Sequence, residues 1–89
     1  MEITFDAAKD VANRAKHGVS LALAAELEWG WLLVVPDVRR DYGEQRWIGF
    51  APISERVYCV VFTDRGEERR IISLRKANGR EVRRYANEV

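Results

Sequence analysis

Cysteine, histidine and methionine each occur once among the 89 residues, and proline only twice. A lone Cys59 excludes an intrachain disulfide framework. With His17 as the only imidazole, no His/Cys constellation with zinc-ligand spacing can be assembled, so neither a metal nor a cofactor is expected. Glycine-rich phosphate loops and nucleophile elbows are missing as well. No apolar run approaches the roughly 20 residues of a membrane-spanning helix, and "MEITFDAAK" lacks the charged and then apolar order of a secretion signal. A soluble, cytoplasmic protein with no membrane partner is expected. Cys59 itself lies in the apolar run "RVYCVVF", where the ordinary role of a cysteine is that of a small buried hydrophobe.

What is present is a globular composition. Apolar residues make up 47% and charged residues 33%, enough of the first to build a core, and the length suits one domain spanning residues 1–89. The formal charge is only +1, so bulk charge names no polyanionic partner. Its distribution does: acids outnumber bases through Gln45, and bases outnumber acids from Arg46 onward, which predicts a cationic surface fed by the C-terminal half.

Along the chain, "EITF" reads as a short strand. Asp6 then caps a helix over "AAKDVANRAKH" whose Ala7, Ala8, Val11, Ala12 and Ala15 form one apolar stripe, and Gly18 ends it. Ser20 caps a second helix, "LALAAELEW". "WLLVVP" reads as a strand closed by Pro36, and "DVRRDYGEQ" is the longest loop. "RWIGFAPI", "RVYCVVFTD" and "ERRIISLRK" then form a hairpin-linked meander, with Arg69, Ile71, Ser73 and Arg75 on one side of its last strand. Asn78 and Glu81 have capping-box spacing ahead of a terminal helix. Its Val82 and Tyr85 face is expected to dock on the sheet, leaving Arg80, Arg83 and Arg84 outward. The fold class is therefore α+β: an N-terminal strand and two helices, a four-stranded antiparallel sheet, and a C-terminal helix, with the first strand free to join the sheet edge.

The chemistry-bearing residues are mostly cations, with one histidine and a few carboxylates. That set suits RNA phosphodiester cleavage, in which a base deprotonates the 2′-hydroxyl and cations stabilise the charge developing on phosphorus. His17 titrates nearest neutrality and is a natural proton shuttle, although a histidine before a helix-ending glycine also serves as a cap. Glu44 and Arg46 share one face and form either a base with its phosphate clamp or a surface ion pair. Arg75 and Lys76 precede a helix N-terminus, a place that favours anions, and are either ligands there or solvated charges.

Four motifs then carry a resemblance. "FDAAKDVANRAKHGVS", "GEQRWIG", "VVFTDRGEERRIISLRKA" and the Glu and Tyr of "GREVRRY" recur in this order and at compatible spacing in the BrnT family of bacterial toxins, which the sequence resembles over nearly its whole length. The resemblance implies a RelE-like fold and a ribonuclease toxin of a type II toxin–antitoxin system that inhibits translation. It also implies a BrnA-like antitoxin as partner, through which alone operator DNA is bound. Carried over, the family's motif positions are Lys16, His17, Glu44, Arg46, Arg70, Ser73, Arg75 and Tyr85. The chain departs from the pattern at "EWGWLLVVPD", where the family commonly has a Phe-Asp-Asp-Pro-like turn.

The expected activity is metal-independent endoribonucleolytic cleavage, with His17, Glu44, Arg46, Arg70 and Arg75 catalytic and Lys16, Lys76, Arg80, Arg83 and Arg84 binding RNA. His17 and Glu44 stand as alternative proton-transfer groups. The competing reading is a non-catalytic nucleic-acid or protein-binding module, which solvent-facing Trp29 and Trp31 would favour.

Overall fold

In the computed structural model, which describes residues 1–89, strand β1 (Glu2–Phe5) leads into helix α1 (Ala7–His17). Two 3₁₀ helices follow (Leu21–Glu26 and Trp29–Trp31), then β2 (Leu33–Pro36), β3 (Trp47–Ile53), β4 (Arg56–Arg65), β5 (Glu68–Lys76) and helix α2 (Gly79–Glu88). The strands form one five-stranded sheet of order β1-β5-β4-β3-β2. Strands β2 to β5 are antiparallel neighbours, but β1 runs parallel to β5, so the sheet is mixed and not the antiparallel four-stranded sheet the sequence predicted. The reason lies in "EITF". Ile3 and Phe5 pack against the core, and their backbone covers the outer edge of β5 from Glu68 to Ile71.

Beyond Ile71 that edge has no strand beside it, and α1 takes over. The Asn13 amide donates to Leu74 O (2.8 Å) and accepts from Leu74 N (3.1 Å), imitating a neighbouring peptide group. Asp10 accepts from Leu21 N and the Ser20 hydroxyl, tying the next segment to the helix. Helix α1 thus docks through polar residues. The apolar stripe of Ala7, Ala8, Val11, Ala12 and Ala15 is not buried, and Val11 is 59% exposed.

The predicted second α-helix is instead the six-residue 3₁₀ helix Leu21–Glu26 with a second short one behind it. Its buried residues explain why. Leu21, Ala24 and Leu27 recur every third position, which is the 3₁₀ period and not the α one. They cover one face of the sheet, where Ala51, Tyr58, Val60, Phe62, Ile71 and Leu74 complete the core cluster. Space there is tight: a Cβ on Gly49 would stand 2.6 Å from Leu32 Cδ1. Trp29, half-buried, meets Phe62 edge to face at 5.3 Å and donates to Ala24 O, so of the two tryptophans whose joint exposure would favour a binding module only Trp31 faces solvent, at 62% exposure.

Strand β5 carries a bulge. Val61 pairs with Ser73 and Phe62 with Ile71, so Ile72 has no partner. The bulge resets the alternation of side chains. Ile71 and Arg69 therefore face the core while Ser73 and Arg75 face the other way, and the expectation that all four share a side fails. Helix α2 begins at the predicted capping box of Asn78 and Glu81 but buries none of its residues. Val82 stays 36% exposed, and Tyr85 holds the helix through its hydroxyl, which donates to Trp31 O at 2.6 Å.

Candidate functional site

The face of the sheet turned away from the 3₁₀ helices is a cleft of about 410 Å³. Its floor is apolar: Val35 of β2, Ile48 and Phe50 of β3, Cys59 and Val61 of β4, with Ser73 beside them on β5. Around it stand Lys16 and His17 from the end of α1, Arg39 from the long loop, Arg75 from β5, and Glu81 and Arg84 from α2. Register explains the neighbours, since Phe50, Cys59 and Arg75 lie in one row across three strands and Ile48, Val61 and Ser73 in the next. Gly18, with φ of 77°, ends α1 in the left-handed conformation and leaves His17 at the cleft wall.

Electrostatics sort the groups. Burial, with the charges of Lys16 and Arg75 behind it, pushes His17 below its ordinary value, so at neutral pH it is an uncharged imidazole able to accept a proton. Cys59 is pushed up to about 11 by burial and stays a thiol. The Arg75 hydrogen bonds hold Glu81 below the usual carboxylate range. Asp37, held by Arg39, is lowered to about 2.

The arginines differ in which edge of the guanidinium they use. Arg39 on Asp37, Arg65 on Glu44 and Arg69 on Asp64 all commit Nε and Nη2, the side-on fork. Arg75 instead engages Glu81 end-on, through Nη1 (2.8 Å) and Nη2 (2.9 Å), with Nη1 also donating to Lys76 O at 3.2 Å. Of its five donors, the two that remain are Nε–H and the second Nη2–H, which lie parallel on one edge. Arg75 lines the cleft with a bidentate fork unused, the geometry that fits a phosphate.

Of the residues singled out in the sequence, Lys16, His17, Ser73, Arg75 and Arg84 come together here. Glu44 does not: burial raises it, but the hydrogen bonds of Arg65 and the charges of Arg65 and Arg46 outweigh burial and hold it below the usual range, a poor state for a base. Arg46 stacks on Tyr42 at 4.1 Å, its Nε 3.5 Å from Glu44 Oε2 but without a hydrogen bond. Arg70 pairs with Thr63 and so falls on the cleft face, one row beyond the floor, without an ion-pair partner. Lys76, Arg80 and Arg83 stand outside the cleft. Arg84, expected on their side of α2, turns to the cleft with Glu81. Sequence reasoning missed Arg39, on the longest loop, and Glu81, whose capping-box signal concealed its second partner.

No three His, Cys, Asp or Glu side chains cluster as a metal site would require, and no helix is long and apolar enough to cross a membrane. A search of curated proteins finds no match to the chain. Comparison with known families matches residues 5–81, most of the sequence, to the family described as the ribonuclease toxin BrnT of type II toxin–antitoxin systems. With that match running from Phe5, the end of β1, into the first turn of α2 and taking in every residue that lines the cleft except Arg84, the chain belongs to the BrnT family of ribonuclease toxins.

Proposed function

We propose that this toxin cuts RNA in the cleft, as an endoribonuclease that needs no metal, and thereby stops translation in the cytoplasm. Neutral His17 takes the proton of a ribose 2′-hydroxyl, whose oxygen attacks the adjacent phosphorus. The 5′-oxygen leaves with a proton returned by the imidazolium or by water, giving a 2′,3′-cyclic phosphate and a 5′-hydroxyl. Arg75, assisted by Lys16, neutralises the charge that builds on the phosphoryl oxygens. Arg84 sits at the cleft, while Arg46 and Arg70 on the same face and Lys76, Arg80 and Arg83 outside extend a cationic track for the RNA backbone. Glu44 is the weaker alternative base because Arg65 and Arg46 hold its carboxylate. The partner is a BrnA-like antitoxin, and operator DNA is reached through it alone.

The observation that carries this reading is the unused Arg75 fork in the same cleft as an uncharged His17. The purified toxin should cleave RNA in excess chelator and leave cyclic-phosphate or 3′-phosphate ends, and its induction should arrest growth until the antitoxin is co-expressed. Cleavage that requires an added divalent ion overturns the mechanism, and binding without cleavage favours a non-catalytic module.

A further inference from the structure

Glu81 holds both ends of a short chain of contacts. Its Oε1 accepts from Asn78 N at 2.9 Å, closing the cap of α2, and from Arg75 Nη1, while Oε2 accepts from Arg75 Nη2. The carboxylate is only 19% exposed, and the Arg75 hydrogen bonds hold it below the usual carboxylate range, a poor state for taking a substrate proton. Its effect is on Arg75. An arginine at a strand end carries several free rotors, and immobilising them during binding subtracts from what the contact yields. Glu81 removes that freedom beforehand and does so by the end-on edge. Had it taken the side-on edge, as Asp37, Glu44 and Asp64 do with their arginines, the Nε/Nη2 fork would be consumed and only the end-on edge would remain.

Resting on the reading that RNA phosphate is bound in this cleft, we propose that Glu81 is a positioning residue for RNA cleavage: it clamps Arg75 end-on so that the Nε/Nη2 edge is presented, fixed, to the scissile phosphate. The opposite role, a carboxylate that masks Arg75 and must be displaced by RNA, predicts an effect of the opposite sign. Positioned groups act on the transition state, so the loss should appear in kcat more than in KM.

The test compares parental protein, Glu81→Gln, Arg75→Ala, their double variant and Asn78→Ala on a single-stranded transcript of mixed sequence. Glutamine keeps an acceptor for Asn78 N and so preserves the cap. Glu81→Gln should lower kcat about tenfold or more with KM changed less than about threefold, and the effect should vanish in the Arg75→Ala background because the two act as one unit. Asn78→Ala removes the partner cap bond and should lower the melting temperature while leaving kcat within about threefold, which separates positioning from helix stability. Without turnover, the Arg75 Nε–H resonance should shift when a DNA oligonucleotide lacking the 2′-hydroxyl is added, and shift less in Glu81→Gln. Parental or faster kcat in Glu81→Gln, or an undiminished effect without Arg75, overturns the proposal. Failure of the site itself looks different, since Arg75→Ala would then cleave at the parental rate.

Discussion

The two faces of this sheet carry the same kinds of side chain in different states. On the packed face Arg69 lies over the Trp29 and Phe62 rings at 4.6 and 4.7 Å and gives its side-on fork to Asp64, so its flat face and that fork are both consumed in holding the fold. On the cleft face, six residues along the same strand, Arg75 is anchored by its other edge and keeps that fork free. Both arginines are partly buried and both are bidentate with a carboxylate. Burial and ion pairing therefore do not distinguish a structural arginine from a functional one; the edge that is left over does.

The largest effect should come from exchanging these two residues for alanine. Removing a cation that acts on the transition state costs on the order of a hundredfold or more in turnover, so Arg75→Ala should lose that much single-turnover cleavage with RNA binding changed far less. Arg69→Ala should cleave within a few-fold of the parental rate below its melting temperature, and melt lower, because it loses two cation–π contacts and an ion pair. Equal losses of turnover in the two folded variants would erase the distinction between the faces.

How much of this was legible in the sequence follows the same divide. Turns, the capping box, the central strand and the bundle of candidate cations were readable because each depends on local chemistry: Asn78 with Glu81, Asp6 before α1, Gly18 after it. The bulge at Ile72 was not, since nothing in "RRIISLRK" announces that alternation resets, and that reset puts Ile71 on one face and Ser73 on the other. Nor was the docking of α1. Its apolar stripe is the stronger periodic signal, yet Asn13 and Asp10 win because they satisfy backbone groups of distant segments, Leu74 and Leu21, that only the fold brings near. For the site, residue types sufficed to nominate His17 and Arg75, whereas the reason to rank Glu44 below His17 needed Arg65, 21 positions away.

A smaller effect should separate the faces by packing. Gly49 lies between β2 and β4 on the packed face, and a methyl group there would stand 2.6 Å from Leu32 Cδ1, within a layer that also holds Phe62. Overpacking of this kind costs about 1–3 kcal/mol, so Gly49→Ala should lower the melting temperature by roughly 4–8 °C per kcal/mol in a chain of this size. Ser73→Ala, on the cleft face, removes a hydroxyl with no hydrogen-bond partner in the structure and should leave the melting temperature unchanged within about 0.5 kcal/mol equivalent. If Ser73→Ala destabilises as strongly as Gly49→Ala, the cleft floor is as tightly packed as the core and has no room for a nucleotide.

The smallest effect concerns charge alone, and it tests whether the cleft face acts as one electrostatic unit. His17 must be neutral to accept a proton, so cleavage should be present above its pKa and lost as pH falls through it. Burial disfavours the imidazolium first, and the charges of Lys16 and Arg75 add to it, which places the acid limb of kcat/KM below the ordinary histidine value of about 6.5. Lys16 is exposed, so its share is screened by water and salt. Lys16→Ala relieves part of the repulsion and should move the limb upward by roughly a few tenths of a pH unit at low ionic strength, with the difference shrinking as salt is added. No charge change on the packed face should do this: Arg69→Ala, with its guanidinium on the other side of the sheet, should leave the limb where it is. The measurement is kcat/KM from pH 5 to 8 at two salt concentrations for all three proteins. A limb that Lys16→Ala leaves in place, or that Arg69→Ala moves as far, would mean that the group titrating in cleavage is not His17.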